Sequence, residues 1–377
     1  MDFEARRILV YRIGNIGDTV VALPALWAVR RHFPNAHIVL LCNDNKTSHR
    51  LAAEILPGQG LIDEWLTYPS HDRGSSFLQV LGFLPNLRRL RLDTLVYLAP
   101  RLRSQKDVWR DLAYFRFAGL KTFIGHKGLH SSLPRTTGNA LKAVDHEADH
   151  LLERLSKCGI KTPPYGKGEM NLALTEAEKL QGLDWIERAI PRKADRQTLV
   201  GFGPGSKWPS KVWPEDRFGE LGAQLIREAD IQPVVFGGVD DVGLGERLVN
   251  SWGRGVNGAG QLSVRQSAAA LEHCSLFVGN DSGTMHLAAA VGVPCVVVMS
   301  AQDWPGRWHP YGERHIVLRV AVPCEGCMLA VCNQNELRCL TEISIEKVKQ
   351  ACIDTLWESE AAESYAFAKK GEAVTAQ

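Results

Sequence analysis

The sequence lacks any uninterrupted apolar run near the roughly 20 residues that a membrane-spanning helix needs. Its first residues, MDFEARRILVYRIG, carry acids before the apolar stretch and no small-residue cleavage site after it. This pattern predicts a first β-strand rather than a signal peptide. We therefore expect a cytoplasmic protein rather than an exported or integral membrane protein.

Three nucleotide-site motifs are missing where they would be expected. No G-x-G-x-x-G and no G-x-x-x-x-G-K-[ST] follows a predicted strand, which argues against a dinucleotide dehydrogenase and a P-loop ATPase. There is also no D-x-D pair, a pattern that would suggest a metal-bound sugar nucleotide.

The sequence has nine cysteines, an odd number. In a long chain without a predicted signal peptide, this argues against a disulfide framework. Four of the nine lie within sixteen residues, at Cys324, Cys327, Cys332 and Cys339. Their spacing is compatible with tetrahedral zinc or iron. Reduced thiols that pack a loop are the alternative, and we expect no metal as the simpler interpretation.

Length and charge then indicate two domains with different partners. A chain of 377 residues exceeds what one hydrophobic core normally serves. The net charge is only +2, but residues 1–150 hold 20 Lys and Arg against 14 Asp and Glu. A basic first half suits an anionic acceptor or an anionic membrane face, although solvated surface arginines explain any one of them equally well.

The order of elements predicts an α/β protein. Short apolar strands such as 8–13, 37–42 and 94–99 alternate with helical segments, and the same alternation restarts at 198–205. This is typical of two doubly wound, Rossmann-like sheets, expected to face each other across a cleft. We place the boundary near residue 185, giving domains 1–185 and 186–377. Ligands of such sheets bind beyond the carboxyl ends of the strands.

The string LFVGNDSGTMHLAAAVG (276–292) is the densest functional signal. A strand ending at Asp281 is followed by a helix that begins at Ser282, Gly283 and Thr284. Unpaired amides and the positive end of the helix dipole make such a start an anion site suited to a diphosphate. His286 lies one turn further on and is expected to face the same ligand. Helix capping by Asp281 is the alternative.

Two further strand ends carry polar residues. Ser206, Lys207 and Lys211 follow the glycine loop of GFGPGSKWPSKVW, where lysines would neutralise phosphate charge. Asp18 follows the first strand in GNIGDT, where a carboxylate can act as a general base or as a helix N-cap. The cap is the commoner fate of Asp at such a position, and the sequence alone favours it.

Together these strings resemble glycosyltransferase family 9, the ADP-heptose:lipopolysaccharide heptosyltransferases. ILVYRIGNIGDTVVALPAL is similar to the family's opening strand and acid, GPGSKWPSKVWPEDRFGEL to its lysine–Trp–Pro motif, and FVGNDSGTMHLAAAVGVPCVVV to its D-[ST]-G-x-x-H string. The resemblance extends over roughly residues 7–350 and implies the two-domain GT-B fold, with an acceptor-binding first domain and a nucleotide-sugar-binding second domain.

The resemblance also implies roles by position. Asp18 matches the catalytic base. The donor-binding positions are Ser206, Lys207, Lys211, Glu246, Leu262, Asp281, Ser282, Gly283 and His286, with Glu246 on the ribose and Leu262 against the adenine. Lys207 departs from the hydroxyl residue that some members carry. The basic first domain would hold the anionic acceptor, with candidate contacts at Arg12, Arg101, Arg103, Lys106 and Arg110.

The implied reaction is an inverting, metal-independent transfer of heptose from ADP-heptose to an anionic lipopolysaccharide inner-core acceptor. No cofactor and no nucleic-acid partner is expected, and peripheral contact with the inner membrane face is compatible with the charge. Three alternatives remain open: transfer of another activated sugar, a sugar-nucleotide epimerase or phosphorylase of the same fold, and a binding protein without catalysis.

Overall fold

The structure is a computed structural model of the chain, and it describes residues 5–44, 52–56, 60–69, 77–130, 132–136, 140–190, 198–333 and 335–357. The chain forms two compact units. Unit 1 contains Met1–Leu174 and the short segment Trp304–Gly312, and unit 2 contains Thr175–Asp303 and Glu313–Gln377. The division lies ahead of the helix that the sequence prediction placed before its boundary near residue 185. No helix in the described part of the chain is long and apolar enough to span a bilayer.

Unit 1 is built on a five-stranded parallel sheet in the order β3-β2-β1-β4-β5. Its strands are β1 Arg7–Tyr11, β2 His37–Asp44, β3 Glu64–Pro69, β4 Thr94–Tyr97 and β5 Thr122–Ile124. Its helices are α1 Ile16–Val21, α2 Leu23–His32, α3 Phe77–Arg89, α4 Gln105–Phe117 and α5 Glu147–Ser156. The central strands read as near-continuous apolar runs because helices cover both faces of a parallel sheet.

Unit 2 carries a six-stranded parallel sheet in the order β11-β10-β9-β6-β7-β8. Its strands are β6 Leu199–Gly203, β7 Gln232–Val235, β8 Val256–Asn257, β9 Leu276–Asn280, β10 Cys295–Val298 and β11 His315–Leu318. Its helices are α6 Glu176–Ala189, α7 Glu215–Ala229, α8 Val242–Trp252, α9 Val264–Leu271, α10 Gly283–Ala290, α11 Arg338–Thr341 and α12 over residues 345–357. β8 has only two residues, and neither β8 nor β11 is predicted from the sequence.

Both sheets are doubly wound, as predicted, and each reverses its strand order at one point. The reversal lies between β1 and β4 in unit 1 and between β6 and β9 in unit 2. At such a point the loops after the two strands lead to opposite faces of the sheet and leave a crevice for a ligand. The glycine loops identified in the sequence follow β1, β6 and β9, so all three lie at these crevices.

The segment after β1 forms two helices rather than one continuous helix. α1 ends at Val21 and α2 begins at Leu23, with Pro24 in its first turn. Proline is tolerated there because the first amides of a helix have no intrahelical acceptor. Asp18 lies in the first turn of the short α1.

Candidate functional site

The crevice of unit 2 forms where β6 and β9 approach closely. Gly203 pairs with Gly279 across the two strands. A Cβ on Gly279 would lie 2.6 Å from the Gly203 carbonyl oxygen, and one on Gly203 would lie 2.4 Å from the ring of Phe277. Only glycine fits at these two positions, so the strand ends converge and bring the loops after them together.

The Asn280 side chain connects the loop after β6 to the segment that leads into α7. It is fully buried, its Nδ2 atom donates to the Pro204 carbonyl oxygen at 2.7 Å, and its Oδ1 atom accepts from the Trp213 amide at 3.0 Å. Trp213 is itself fully buried in the core of unit 2. The sequence analysis treated Asn280 only as a strand end, but its side chain sets the distance between the lysine loop and the helix start.

Lys211 and Asp281 form an ion pair in this crevice. The Lys211 Nζ atom lies 2.6 Å from Asp281 Oδ2, and both side chains are largely buried. Lys211 Nζ also lies 5.5 Å from the centre of the Trp208 ring, and Ser206 Oγ donates to the Asp281 carbonyl oxygen at 3.3 Å. The structure therefore brings Ser206, Lys211 and Asp281 together. Asp281 does not cap α10, because its carboxylate pairs with the lysine.

The N-cap residue of α10 does not cap the helix with its own side chain. Ser282 is the N-cap residue, but its hydroxyl makes no capping hydrogen bond. Ser282 Oγ is buried and lacks a hydrogen-bond partner among the described residues. Because a buried hydroxyl without a partner costs free energy, an anionic ligand that accepts from Ser282 and the first amides of α10 would relieve this cost.

His286 lies on the buried side of α10 as a neutral imidazole. Burial, and then the neighbouring charge of Lys211, lower its pKa from 6.5 to about 3. The ring is only 4% exposed. His286 is therefore close enough to Lys211 to be affected by its charge, and it is a neutral hydrogen-bonding group rather than a second positive charge.

Three further predicted donor positions have exposed or half-buried side chains in unit 2. Lys207 is exposed in the loop after β6, Glu246 is exposed on α8, and Leu262 is half-buried just before α9. The sequence analysis missed Asp241, which precedes α8 and whose Oδ2 atom accepts from the Gly238 amide at 2.7 Å. A Cβ on Gly205 would lie 2.0 Å from Asp241 Oδ1, so this carboxylate packs directly on the glycine loop.

In unit 1, Asp18 has a defined position at the third residue of α1. The N-cap residue is Asn15, and Asp18 Oδ2 accepts from the Asn15 amide at 2.8 Å. The expectation that Asp18 is itself the N-cap was therefore wrong by three residues, although its carboxylate does stabilise the helix start. Its side chain keeps 21% of its surface exposed.

Arg12 and Arg101 lie inside unit 1 and do not present a surface to an acceptor. The Arg12 side chain is 1% exposed, and its guanidinium donates to the carbonyl oxygens of Asp18 and Leu98. Arg101 pairs with the fully buried Glu147, and Arg307 of the Trp304–Gly312 segment pairs with the same carboxylate. The expectation that these two arginines contact the acceptor is therefore wrong. They are buried because carbonyl oxygens at strand ends and a buried acid both require hydrogen-bond donors inside the protein.

The other predicted acceptor residues lie at the start of α4. Arg103 is partly buried and bonds to Asp111, which also accepts from the Tyr97 hydroxyl at 2.7 Å. Lys106 is exposed. Arg110 is exposed and pairs with Asp107 and Asp111, both at 3.0 Å.

In the described part of the chain, none of the four clustered cysteines forms a disulfide bond, and all four are partly exposed. Across the described ranges, no group of three or more His, Cys, Asp or Glu side chains has an arrangement that could hold a metal ion. Burial raises the pKa of the Cys339 thiol, and the other three thiols of the cluster add to this effect. The arrangement favours the protonated thiol over the thiolate at this residue.

Comparisons with known proteins identify the family. The sequence profile of glycosyltransferase family 9 (heptosyltransferase) matches residues 115–337. Lipopolysaccharide heptosyltransferase 2 of Salmonella typhimurium is 35% identical over 135 residues, or 34% of this chain, and the match spans only 38% of that relative's length.

Solved structures are similar over nearly the whole chain. A glycosyl transferase family 9 structure from Veillonella parvula has a TM-score of 0.71 at 23% identity and covers 95% of this chain and 99% of its own. The structure of E. coli ADP-heptose lps heptosyltransferase II has a TM-score of 0.63 at 20% identity, covering 94% and 99%. These likenesses confirm the predicted GT-B fold class. The chain belongs to glycosyltransferase family 9, the heptosyltransferase family.

Proposed function

We propose that this chain is a glycosyltransferase that moves heptose from ADP-heptose to an anionic lipopolysaccharide inner-core acceptor. The observation that carries the proposal is the combination of Lys211, Asp281 and the start of α10 in one crevice of unit 2. A lysine and a helix N-terminus are the groups that a pyrophosphate needs. The family to which the chain belongs supports the choice of heptose.

Lys211 and the α10 terminus are assigned to the leaving ADP. As the bond between the anomeric carbon and the β-phosphate oxygen breaks, negative charge grows on the diphosphate. Lys211, the Ser282 hydroxyl and the first amides of α10 would stabilise this charge. Because such groups already point toward the developing charge, they need not reorient during the reaction, and this is usually the largest electrostatic contribution to catalysis. Because these groups supply the positive charge, we propose that the transfer needs no metal. Asp281 positions Lys211, and His286 supports it as a neutral donor or acceptor.

Asp18 is assigned as the general base. It would take the proton of the acceptor hydroxyl while that oxygen forms the new bond to the anomeric carbon, which gives inversion of configuration. The Asp18 side chain is one-fifth exposed, and Arg12 and the Asn15 amide fix its carboxylate. A substrate hydroxyl can therefore reach a carboxylate whose position is defined. Lys106 and Arg110 remain the proposed acceptor contacts, with Arg103 behind them, whereas Arg12 and Arg101 are reassigned to structural support.

Glu246 and Leu262 are proposed to contact the ribose and the adenine of the donor, with Lys207 at the edge of the diphosphate. All three have exposed or half-exposed side chains in unit 2, which leaves them accessible to a ligand. We propose that the enzyme works in the cytoplasm at the inner membrane face, where such a donor and acceptor would meet.

The experiment that tests the proposal measures ADP binding and ADP release separately. Lys211→Met should lose ADP binding in a thermal-shift titration and lose turnover of ADP-heptose. Asp18→Asn should keep ADP binding and lose turnover by about 10²-fold or more, as expected for removal of a general base. The matched controls are Lys157→Met and Asp184→Asn, whose side chains are 65% and 64% exposed.

If Lys211→Met binds ADP as wild type does, the donor site is misassigned. Unchanged turnover of Asp18→Asn would overturn the assignment of the base. A parallel screen with UDP-sugars separates heptosyl transfer from transfer of another activated sugar, because a stronger shift with a UDP-sugar would contradict the proposed donor.

A further inference from the structure

α4 is held against unit 1 by one face and leaves the opposite face exposed. Val108 and Phe115 are buried in the core cluster of unit 1, and Leu112 packs against the same cluster. This anchoring fixes the outer face of the helix. The exposed side chains are then those at helical spacing on that outer face: Lys106, Trp109, Arg110, Ala113, Arg116 and Phe117.

Two large aromatic rings on this face are turned to solvent. Trp109 and Phe117 are each 71% exposed, and they are eight residues apart, or about 12 Å along the helix axis. Single exposed apolar residues are normal on protein surfaces. Two exposed aromatic rings between basic residues on one helix face are instead the pattern of a helix that lies in a membrane interface.

The surroundings of the helix are strongly basic. Residues 88–121 contain nine Arg and Lys but only three Asp. All three carboxylates are already occupied, since Asp111 binds Arg103 and Tyr97, Asp107 pairs with Arg110, and Asp93 accepts from the amides of Arg6 and Arg7. The face therefore presents an excess of positive charge to solvent.

A basic cavity lies at the C-terminal end of α4, beside Phe117. It measures about 460 Å³, and Arg88, Arg91 and Lys121 line it together with Asp93. Arg88 reaches across to donate to the Phe117 carbonyl oxygen at 2.9 Å, which ties the cavity to the end of α4. Three cations against one occupied carboxylate suit a phosphate group.

We propose that the outer face of α4 and the adjoining basic cavity form a docking surface for an anionic phospholipid bilayer. Trp109 and Phe117 enter the headgroup region, and Arg88, Arg91 and Lys121 receive a lipid phosphate. The charge of the surface selects a bilayer over a second copy of this chain, since two copies of so basic a face would repel each other. The surface is separate from the proposed donor site, which lies in unit 2.

The test is vesicle co-sedimentation of the full chain with phosphatidylcholine vesicles and with vesicles containing one quarter phosphatidylglycerol. Wild type should bind the anionic vesicles and not the neutral ones, and binding should weaken as salt rises. Trp109→Ser with Phe117→Ser, and separately Arg91→Glu with Lys121→Glu, should each reduce the partition coefficient by about tenfold or more, because each basic residue and each inserted ring contributes independently.

Two control variants match these changes. Trp357→Ser removes an aromatic ring that is 65% exposed in unit 2, and Lys161→Glu with Arg227→Glu reverses two exposed charges elsewhere. Both should sediment with anionic vesicles as wild type does. An ADP thermal shift on every variant reports folding and the donor site independently of the membrane result, so failure of this proposal and failure of the proposed function can be told apart.

Three results would overturn the proposal. These are equal binding of wild type to neutral and anionic vesicles, absence of binding to both, and unchanged binding of the two α4-face variants. Light scattering provides a further check, because a concentration-dependent dimer that disappears with Trp109→Ser and Phe117→Ser would assign the face to a second copy.

Discussion

Arg12 holds Asp18 at two points. The Arg12 Nη2 atom lies 3.5 Å from Asp18 Oδ1, and Arg12 Nε donates a 2.9 Å hydrogen bond to the Asp18 carbonyl oxygen. A third bond, from Arg12 Nη1 to the Leu98 carbonyl oxygen at 2.8 Å, fixes the guanidinium against β4. The arginine therefore sets both the backbone and the carboxylate of the proposed base.

Arg12→Lys tests this positioning role. A single ammonium group cannot reproduce the planar fork that reaches all three acceptors, so the Asp18 carboxylate should lose its fixed orientation. We expect kcat to fall by about 10-fold to 100-fold while the Kd for ADP stays at the wild-type value. Steady-state kinetics and ADP titration measure the two effects, with Arg188→Lys, whose side chain is 78% exposed, as control. Equal losses in kcat and ADP affinity would argue for a global defect instead.

Gly205→Ala should damage the proposed donor site of unit 2. The new Cβ would lie 2.0 Å from Asp241 Oδ1, so either the glycine loop or the start of α8 must move. We expect ADP affinity to fall by about tenfold, the effect of roughly 1.4 kcal/mol. Gly219→Ala on α7 is the matched control, because its Cβ would find no atom closer than 3.9 Å. That control should be neutral or stabilising by up to about 1 kcal/mol. Wild-type ADP affinity in Gly205→Ala would show that the loop does not contact the nucleotide.

The crevice of unit 2 could be located from the sequence because most of its residues lie in short, contiguous strings. A strand that ends in glycine and is followed directly by a helix brings Asp281, Ser282 and His286 to the same strand end. This placement does not depend on the rest of the fold. Lys211 lies beside them only because β6 and β9 are neighbouring strands. The doubly wound strand order favours this neighbourhood, but no local sequence pattern predicts it. Their 2.6 Å ion pair is thus a product of topology.

The roles of Arg12 and Arg101 could not be predicted in this way. A basic residue at a strand end serves equally well as a surface contact or as a buried donor to orphan carbonyls. Which of the two applies depends on Glu147 and Arg307, which are far away along the chain. Asp241 was missed for a related reason, since its contact with Gly205 joins two strand ends separated by 36 positions in the sequence.

Glu147→Gln should strongly destabilise unit 1. The carboxylate is completely buried, accepts from the Arg101 amide at 2.6 Å and from Arg307 Nε at 3.0 Å. Although burial opposes ionisation, Arg307 and Arg101 lower the pKa of Glu147 to about 2. Removing the charge leaves two buried arginines uncompensated, which costs about 3–5 kcal/mol of unfolding free energy.

Urea denaturation of Glu147→Gln against Glu153→Gln measures this cost. Glu153 is 52% exposed and pairs with Lys157 on the surface, so its loss should cost less than about 1 kcal/mol. Similar midpoints for the two variants would show that the buried network contributes no more than a surface pair.

His286 makes the stability of unit 2 depend on pH. Its pKa is about 3 in the folded chain because burial, and then Lys211, disfavour the charged ring, whereas an unfolded histidine titrates near 6.5. Between these two values the unfolded state binds one more proton, so the free energy of unfolding falls as pH drops below about 6.5. The slope approaches about 1.4 kcal/mol per pH unit for one histidine. His150, whose pKa is also lowered to about 3, should act in the same way on unit 1.

Urea unfolding of wild type and His286→Gln at several pH values between 7.5 and 4.5 tests this linkage. The range ends at 4.5 because Glu147, with its lowered pKa, contributes its own acid destabilisation below that value. His286→Gln should flatten the pH dependence of the unit 2 transition and leave that of unit 1 intact, and His150→Gln should do the reverse. Parallel pH profiles for wild type and His286→Gln would show that His286 binds protons equally in the folded and unfolded chain, which would contradict a lowered pKa in the folded protein.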